Sequence, residues 1–277
     1  VSGLAGPTAA VTLNNGVTLP RLGLGVFRAA QGGEARRAVL SALEAGYRHV
    51  DTAQSYGNER DVGMAIRESG LARQDIFVTS KLYAGYRGFD AALQAFDQSL
   101  ARLGLEQLDL FLLHWPVPES RLDSWRALER VYHEGRVRAI GVSNFMVHHL
   151  EELARHAEVP PAVNQIEVSP FLQQREVRDW CRGHEIVVEA YSPLTKGHRL
   201  THPGVVAEAR ALARTPAQVL LRWALQHDLV ALPKSTRPDR IRENAALFDF
   251  ELDAGGMSRL DALEEGLVTG WDPRQQP

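Results

Sequence analysis

A single cysteine, Cys181, is all the thiol in this 277-residue chain. One cysteine forbids an internal disulfide and argues against a cysteine-based metal cluster, a usage that suits a reducing cytoplasm. Charge of one sign is lacking as well. The 31 Lys and Arg and 34 Asp and Glu leave a formal net charge of -3, without the basic field that nucleic acid demands. No apolar run reaches the length of a bilayer span. The opening VSGLAGPTAA has neither the basic start nor the apolar core of a secretory leader and reads as a loose lead-in. We therefore expect a cytoplasmic protein with no membrane or nucleic-acid partner. These features do not fix the oligomeric state, and a monomer is expected only because a domain of this size can stand alone.

Three chemical signatures are also missing. LGLGVF, from Leu22 to Phe27, has glycines at 23 and 25 but not the rest of a dinucleotide-binding turn, which weakens an open doubly wound sheet. There is no G-x-S-x-G elbow for a serine nucleophile. His148 and His149 are adjacent on an expected helix and point different ways, so no metal site is expected. Asp51 and Glu167 could formally serve as a glycosidase pair, but that would leave Lys81 and Tyr56 without a role.

What is present is a rhythm. Val11–Leu19 has the form of a hairpin turning at Asn15-Gly16. Apolar strands then alternate with amphipathic helices, and strand starts fall near Leu22, Tyr47, Ile76, Leu108, Val137, Val163, Ile186 and Leu229. Gly46, Gly70, Gly104 and Gly135 close helical stretches. From Thr215 to Asp228, Val219, Leu220, Trp223 and Leu225 recur at nearly helical spacing and are expected to cover strands rather than touch ligand. Eight strand–helix units predict a (β/α)₈ barrel, an α/β fold in one domain over 1–277, with a core of about 11–263 and a C-terminal loop 264–277.

Successive barrel strands end on one rim. Three successive strands end near Asp51, Lys81 and His114, and Tyr56 follows Asp51 in the turn SYGNE. Each has a bland role available: a helix cap, a solvated strand end, a half-buried imidazole, a core-edge phenol. Together on one face they point to proton transfer to a carbonyl oxygen. The Lys81 ammonium would favour the tyrosinate and make Tyr56 a better acid, Asp51 would hold Lys81, and His114 would orient the carbonyl. Such a site moves protons, so it needs a separate hydride donor. Lys234, Arg237 and Arg240 crowd the start of a helix expected at Pro238, a phosphate-binding arrangement. Ser143, Asn144, Asn164 and Gln165 lie at polar strand positions suited to a carboxamide, and Tyr191 could stack on a planar ring. Asn144 could equally cap a helix.

The ordered motifs GYRHVDTAQSYGNE, LDLFLLHWP, GVSNF, PAVNQIE, YSPL and PKSTRPDRIREN together resemble the aldo-keto reductase family, especially bacterial members of the 2,5-diketo-gluconate reductase type. The resemblance runs from about Val11 to Leu263. It implies a (β/α)₈ barrel whose N-terminal hairpin closes the bottom. It implies metal-free, NADPH-dependent interconversion of a carbonyl and an alcohol, with the cofactor binding first. It assigns the catalytic tetrad to Asp51, Tyr56, Lys81 and His114. It lays the nicotinamide on Tyr191 against Ser143, Asn144 and Gln165, and the pyrophosphate along Ser192 and Leu194. Gly25 and Val26 line the cleft, Lys234, Ser235, Thr236 and Arg240 take the 2′-phosphate region, and Glu243 and Asn244 lie near the adenine. The substrate walls are Phe27, Tyr56, Tyr83, Trp115 and Asn144, with Trp271 arriving from the tail. Three positions depart from the pattern: Thr236 stands where valine is frequent, YAGYRGF lacks a tryptophan often found after KL, and TKGHRL varies the cofactor-clasping loop. Expected substrates are aldehydes, α-keto esters, diketones or keto-sugars. The alternative is a non-catalytic nucleotide-binding barrel serving as a regulatory or channel-associated subunit.

Overall fold

The computed structural model describes Gly6 and residues 9–276. Most of the expected lead-in lies outside the described residues, as does Pro277, the last residue of the expected C-terminal loop.

A hairpin of β1 (Ala10–Thr12) and β2 (Thr18–Pro20) pairs antiparallel with Val11 opposite Leu19. Its turn is wider than the expected two-residue Asn15-Gly16 turn. Leu13 N–H reaches the Val17 carbonyl, and the Asn15 side chain caps Val17 N–H. Asn14 and Asn15 also donate to the Pro161 and Arg138 carbonyls, pinning the hairpin across the barrel's N-terminal end. Leu13 and Leu19 plug that end against Phe77, Leu110, Ala139 and Val163.

Eight parallel strands follow: β3 (Leu24–Gly25), β4 (His49–Asp51), β5 (Phe77–Leu82), β6 (Leu108–Leu113), β7 (Val137–Ser143), β8 (Val163–Glu167), β9 (Val187–Tyr191) and β10 (Val230–Leu232). They pair in chain order, and parallel bridges from Leu22 to Ala231 and Gly25 to Lys234 join the last strand to the first. The helices are α1 (Glu34–Glu44), α2 (Glu59–Glu68), α3 (Phe89–Leu103), α4 (Arg121–His133), α5 (Val147–His156), α6 (Arg175–Gly183), α7 (Pro203–Ala211), α8 (Pro216–Gln226), α9 (Pro238–Ala245) and α10 (Ala254–Asp261). This is the barrel the strand rhythm predicts.

Local chemistry explains the elements. α3 buries Ala92, Ala95, Phe96, Ser99, Leu100 and Leu103, the i, i+3, i+4 stripe of a helix lying on strands. It stops at Gly104, whose φ of +65° is left-handed and comfortable for glycine. α8 starts with a reciprocal cap: Thr215 accepts from Gln218 N–H, and the Gln218 side chain accepts from Thr215 N–H. Val219, Leu220, Trp223 and Leu225 on α8 are all fully buried, as their spacing implies.

Strand side chains alternate between the two faces of the sheet. Phe77, Leu110, Leu112, Ala139, Val163, Val230 and Leu232 fill the interior with the hairpin. Their neighbours Val78, Phe111, Ile140 and Ala231 belong to the larger cluster beneath the helices. Counting on by twos from the interior set reaches Lys81, His114, Ser143, Gln165 and Lys234. The core's own periodicity delivers polar side chains to the C-terminal rim.

Candidate active site

β4 ends in Asp51, and the chain enters a single 3₁₀ turn, Gln54–Tyr56. Three side chains brace this turn. Gln54 donates to the Ala95 carbonyl and Ser99 Oγ on α3 and accepts from Tyr83 N–H. Asn58 donates to the Val26 and Ala29 carbonyls and accepts from the Thr52 hydroxyl. Glu59 accepts from Ser80 Oγ and Arg102. Gly57 has φ of +72°, and a Cβ there would lie 2.4 Å from Gln31 Nε2. Most of the SYGNE motif is thus scaffolding that fixes where the Tyr56 ring stands.

Beneath that ring lies Lys81, fully buried on β5. Its ammonium donates to Asp51 Oδ1 at 2.6 Å, to the Thr52 carbonyl at 3.0 Å and to the Tyr56 hydroxyl at 3.4 Å. Three acceptors meet the three donors of an ammonium. Burial is the largest influence on Lys81 and would lower its pKa. The Asp51 carboxylate, with Tyr56 and Glu189, outweighs it and leaves Lys81 above the ordinary lysine value. Tyr56 behaves differently from the sequence-based expectation of a stronger acid. Burial raises its pKa, and the opposing pull of Lys81 is not enough to bring it below an ordinary tyrosine. The phenol therefore holds its proton at neutral pH, which is the form a proton donor needs.

His114 follows β6, its ring edge-on to Tyr56 with centroids 5.8 Å apart. Burial first, then Lys81, pushes its pKa well below the ordinary histidine value, so the imidazole is neutral. Ser55 Oγ lies 3.5 Å from His114 Nδ1. A hydroxyl donating there leaves the proton on Nε2, available to a carbonyl oxygen.

These groups open onto a cleft of about 1080 Å³. Phe27, Trp115 and Trp271 stand at its mouth: Phe27 packs on Tyr56 at 5.0 Å, and Trp115 meets Trp271 edge-on at 4.5 Å. Tyr191, Asn144, Ser143 and Gln165 form an inner wall. Tyr191 donates to Asn144 Oδ1 at 2.8 Å, and Asn144 Nδ2 donates to the His114 carbonyl and Ser143 Oγ. Asn144 sits at φ of +65°, which turns its amide into this network. The cleft is also lined by Ser192, Leu194, Lys234, Ser235, Arg240, Glu243 and Asn244, with Gly25 bridged directly to Lys234.

Six residues expected in the site stand apart from the cleft wall, among them Asn164, which is fully buried and donates to the Phe145 carbonyl. Lys81 lies underneath Tyr56 and Asp51. Val26 is buried in the core. Thr236 is absent from the cleft lining and lies on the side of Glu34. Tyr83 points outward, half exposed beside Tyr86, because the short loop after β5 folds its ring over Gly85 instead of into the cleft. Arg237 also turns away and pairs with Asp239 at 2.6 Å.

Other cleft residues escaped the sequence reading. Ser55, Arg28 and the start of α8 at Thr215–Ala217 line it. So does a strap from the tail, of which the sequence leads one to expect only Trp271. Thr269 N–H and its hydroxyl both donate to Glu167, and Lys196 Nζ donates to the Thr269 carbonyl, which brings Gly270 and Trp271 over the opening. Contacts across 102 residues of chain leave no local signal.

The donor set fits a phosphorylated dinucleotide. Lys234 and Arg240 border the cleft where α9 begins, with Pro at its first position and its first N–H groups directed outward. Among the described residues, no cluster of three His, Cys, Asp or Glu is arranged to hold a metal ion, and no helix is long and apolar enough to cross a membrane.

The chain belongs to the Aldo/keto reductase family, which it matches over residues 21–203 and 205–265. It is 49% identical over 263 residues to the glyoxal reductase of Bacillus subtilis, covering 95% of each chain. Its fold superposes with a TM-score of 0.92 on an aldo-keto reductase from a deep-sea metagenome library, at 40% identity and covering 96% of this chain and 99% of the other. It superposes at 0.89 on an aldo-keto reductase of Bombyx mori solved in complex with NADP, at 33% identity and covering 96% and 95%. The chain is an NAD(P)H-dependent oxidoreductase that reduces carbonyl groups.

Proposed function

We propose that this barrel, with core 11–263 and a tail serving the site, reduces small aldehydes, α-keto esters, diketones or keto-sugars with NADPH. Tyr56 is the proton donor and Asp51, Lys81 and His114 its partners. The observation that carries this reading is the Tyr56 hydroxyl. It stands 3.4 Å from a fully buried ammonium, on the wall of the same cleft that Lys234 and Arg240 line.

When bound, the reduced nicotinamide supplies the hydride that the carbonyl carbon accepts. The neutral His114 imidazole donates to the carbonyl oxygen and orients it. Tyr56 then passes its proton to that oxygen as negative charge develops there, and Lys81 stabilises the phenolate left behind. In alcohol oxidation the phenolate accepts the proton instead. Gln165 has both amide N–H groups engaged by Asp51 and Glu189, so its oxygen is the group left to meet a carboxamide. The aromatic mouth of Phe27, Trp115 and Trp271 excludes water and accepts an apolar or flat substituent beside the carbonyl. The motif resemblance to 2,5-diketo-gluconate reductases and the 49% identity to a glyoxal reductase support dicarbonyls as the substrates to try first. We assign the protein to the cytoplasm as a monomer. The regulatory-barrel alternative is weaker because the full proton-transfer set is assembled.

A panel of dicarbonyls, aldehydes, α-keto esters and keto-sugars, read by loss of NADPH absorbance, tests the reading. Turnover of dicarbonyls supports it, and binding of NADPH with no turnover of any carbonyl favours the regulatory alternative. Arg240→Ala should weaken NADPH by about 10–100-fold, the worth of one charge-assisted contact, and leave NADH nearly unchanged. Equal losses for the two dinucleotides in a fluorescence titration would remove the 2′-phosphate assignment. Turnover should also survive exhaustive chelation, and loss restored only by added metal would contradict a purely side-chain proton donor.

A further inference from the structure

Below the four proposed catalytic groups, the barrel interior holds a second polar chain that the chemistry above leaves unused. Glu189 on β9 and His49 on β4 are both fully buried among aliphatic side chains. Glu189 Oε2 accepts from Gln165 Nε2 at 2.7 Å, and the same nitrogen donates to Asp51 Oδ2 at 2.9 Å. The other carboxyl oxygen, Oε1, has no hydrogen-bond partner among the described residues and lies 3.8 Å from His49 Nε2. His49 Nε2 is itself 3.0 Å from Thr79 Oγ1. Room for the imidazole comes from Gly23, where a Cβ would stand 2.6 Å from His49 Nδ1. A Val or Leu at position 189 would fill the space without this chain. A carboxyl in an aliphatic interior, one oxygen unpaired, is costly packing with no stabilising return of its own.

We propose that Glu189 is a positioning residue of the reductase site, which acts by holding Gln165 and, through its amide, the free oxygen of Asp51. This rests on the assignment of Tyr56, Lys81 and Asp51 made above. The titratable groups facing Glu189 from other strands are His49 and Asp51 on β4 and Lys81 on β5. Glu167 on β8 sits one pleat nearer the rim and is bonded to Thr269, while Tyr191 occupies that level on Glu189's own strand. β6, β7 and β10 present aliphatic groups.

Burial, and then the Asp51 carboxylate, pushes Glu189 up to about 8, so it is neutral at pH 7. Burial and Lys81 push His49 down to about 3, so it too is neutral. The Asp51–Lys81 pair then stands alone as the charged couple under Tyr56. Ionising Glu189 adds a second negative charge there, which makes the phenol a weaker acid and slows reduction.

The test pairs Glu189→Ala with Glu189→Gln. The alanine variant, whose Gln165 and Asp51 are no longer held, should lose about tenfold in kcat with little change in the carbonyl KM, a cost typical of slight misplacement. The glutamine variant restores the acceptor and should recover most of that loss at pH 7. The wild-type reduction rate should decline above about pH 8, and Glu189→Gln should lack that decline. A second readout needs neither cofactor nor turnover. A carboxyl whose pKa is raised on folding stabilises below its unfolded value near 4.5, and that contribution fades as pH rises to about 8. The melting temperature of the wild type should therefore fall over this interval relative to Glu189→Gln. Identical pH profiles in rate and melting, with no recovery by glutamine, would overturn the proposal and reduce Glu189 to packing. Retained turnover in Tyr56→Phe would instead defeat the underlying assignment, whatever Glu189 does.

Discussion

Tyr56→Phe should lower the rate of carbonyl reduction by about 10²–10⁴-fold, the usual worth of a positioned general acid, while dinucleotide binding stays as it was. The separation follows from the geometry. The Tyr56 ring is held by Phe27 at 5.0 Å and by the braced turn below it, and the phenylalanine ring inherits both. The hydroxyl takes one long bond, 3.4 Å, from Lys81, so its removal should cost under about 1 kcal/mol of stability. Lys81 keeps Asp51 and the Thr52 carbonyl as partners, and no charge is stranded. Loss of turnover without loss of fold or of dinucleotide binding can then be assigned to the missing proton. Equal titration of NADPH by the two proteins, with single-turnover rates differing by orders of magnitude, is the expected result. A variant retaining more than about a tenth of the rate would mean that His114 or water protonates the oxygen, since Tyr56 would then supply too little of the barrier to be the acid.

The parts of the fold that sequence made legible are those governed by short-range rules. All eight strand starts follow from apolar runs of strand length, and the α3 stripe follows from helical periodicity, because burial on one face repeats at fixed spacing. Asp51, Lys81 and His114 were readable for the same reason: a parallel barrel sends every strand end to one rim. What depended on long-range contacts was not readable. The strap joining Glu167 to Thr269 and Lys196 has no sequence period, and nothing in Tyr83 says that Gly85 will draw its ring away from the cleft. The acidity of Tyr56 fell between the two. The neighbouring ammonium was foreseeable from residue types, but its strength against burial depends on how deep the pair sits. Glu189 was hidden inside an ordinary strand, VVEAY, where one carboxyl among apolar neighbours announces neither its face nor its partners.

Lys81→Met should be damaging in two separable ways, and a second substitution should repair only one of them. Methionine fills the aliphatic path of the lysine but removes the charge. Asp51, with its side chain 5% exposed, then keeps Gln165 as its polar partner and loses the cation 2.6 Å away. Breaking one side of a buried pair in this way costs about 3–5 kcal/mol, mostly the desolvation of the stranded carboxylate. Chemical denaturation should register that loss. Adding Asp51→Asn removes the stranded charge while keeping an acceptor for Gln165, so most of the stability should return. Turnover should not return in either protein, because neither has the ammonium that stabilises the developing phenolate. The pH dependence has a definite sign. Lys81 has a pKa raised on folding, so its contribution is complete below the unfolded lysine value near 10.5 and is lost only as pH rises through the folded value. Wild type and Lys81→Met should therefore differ by a constant amount of this contribution across neutral and mildly alkaline pH, converging only in strong base. If the double variant regained turnover along with stability, Lys81 would be a structural counterion alone, and the proton chemistry would have to be built from His114.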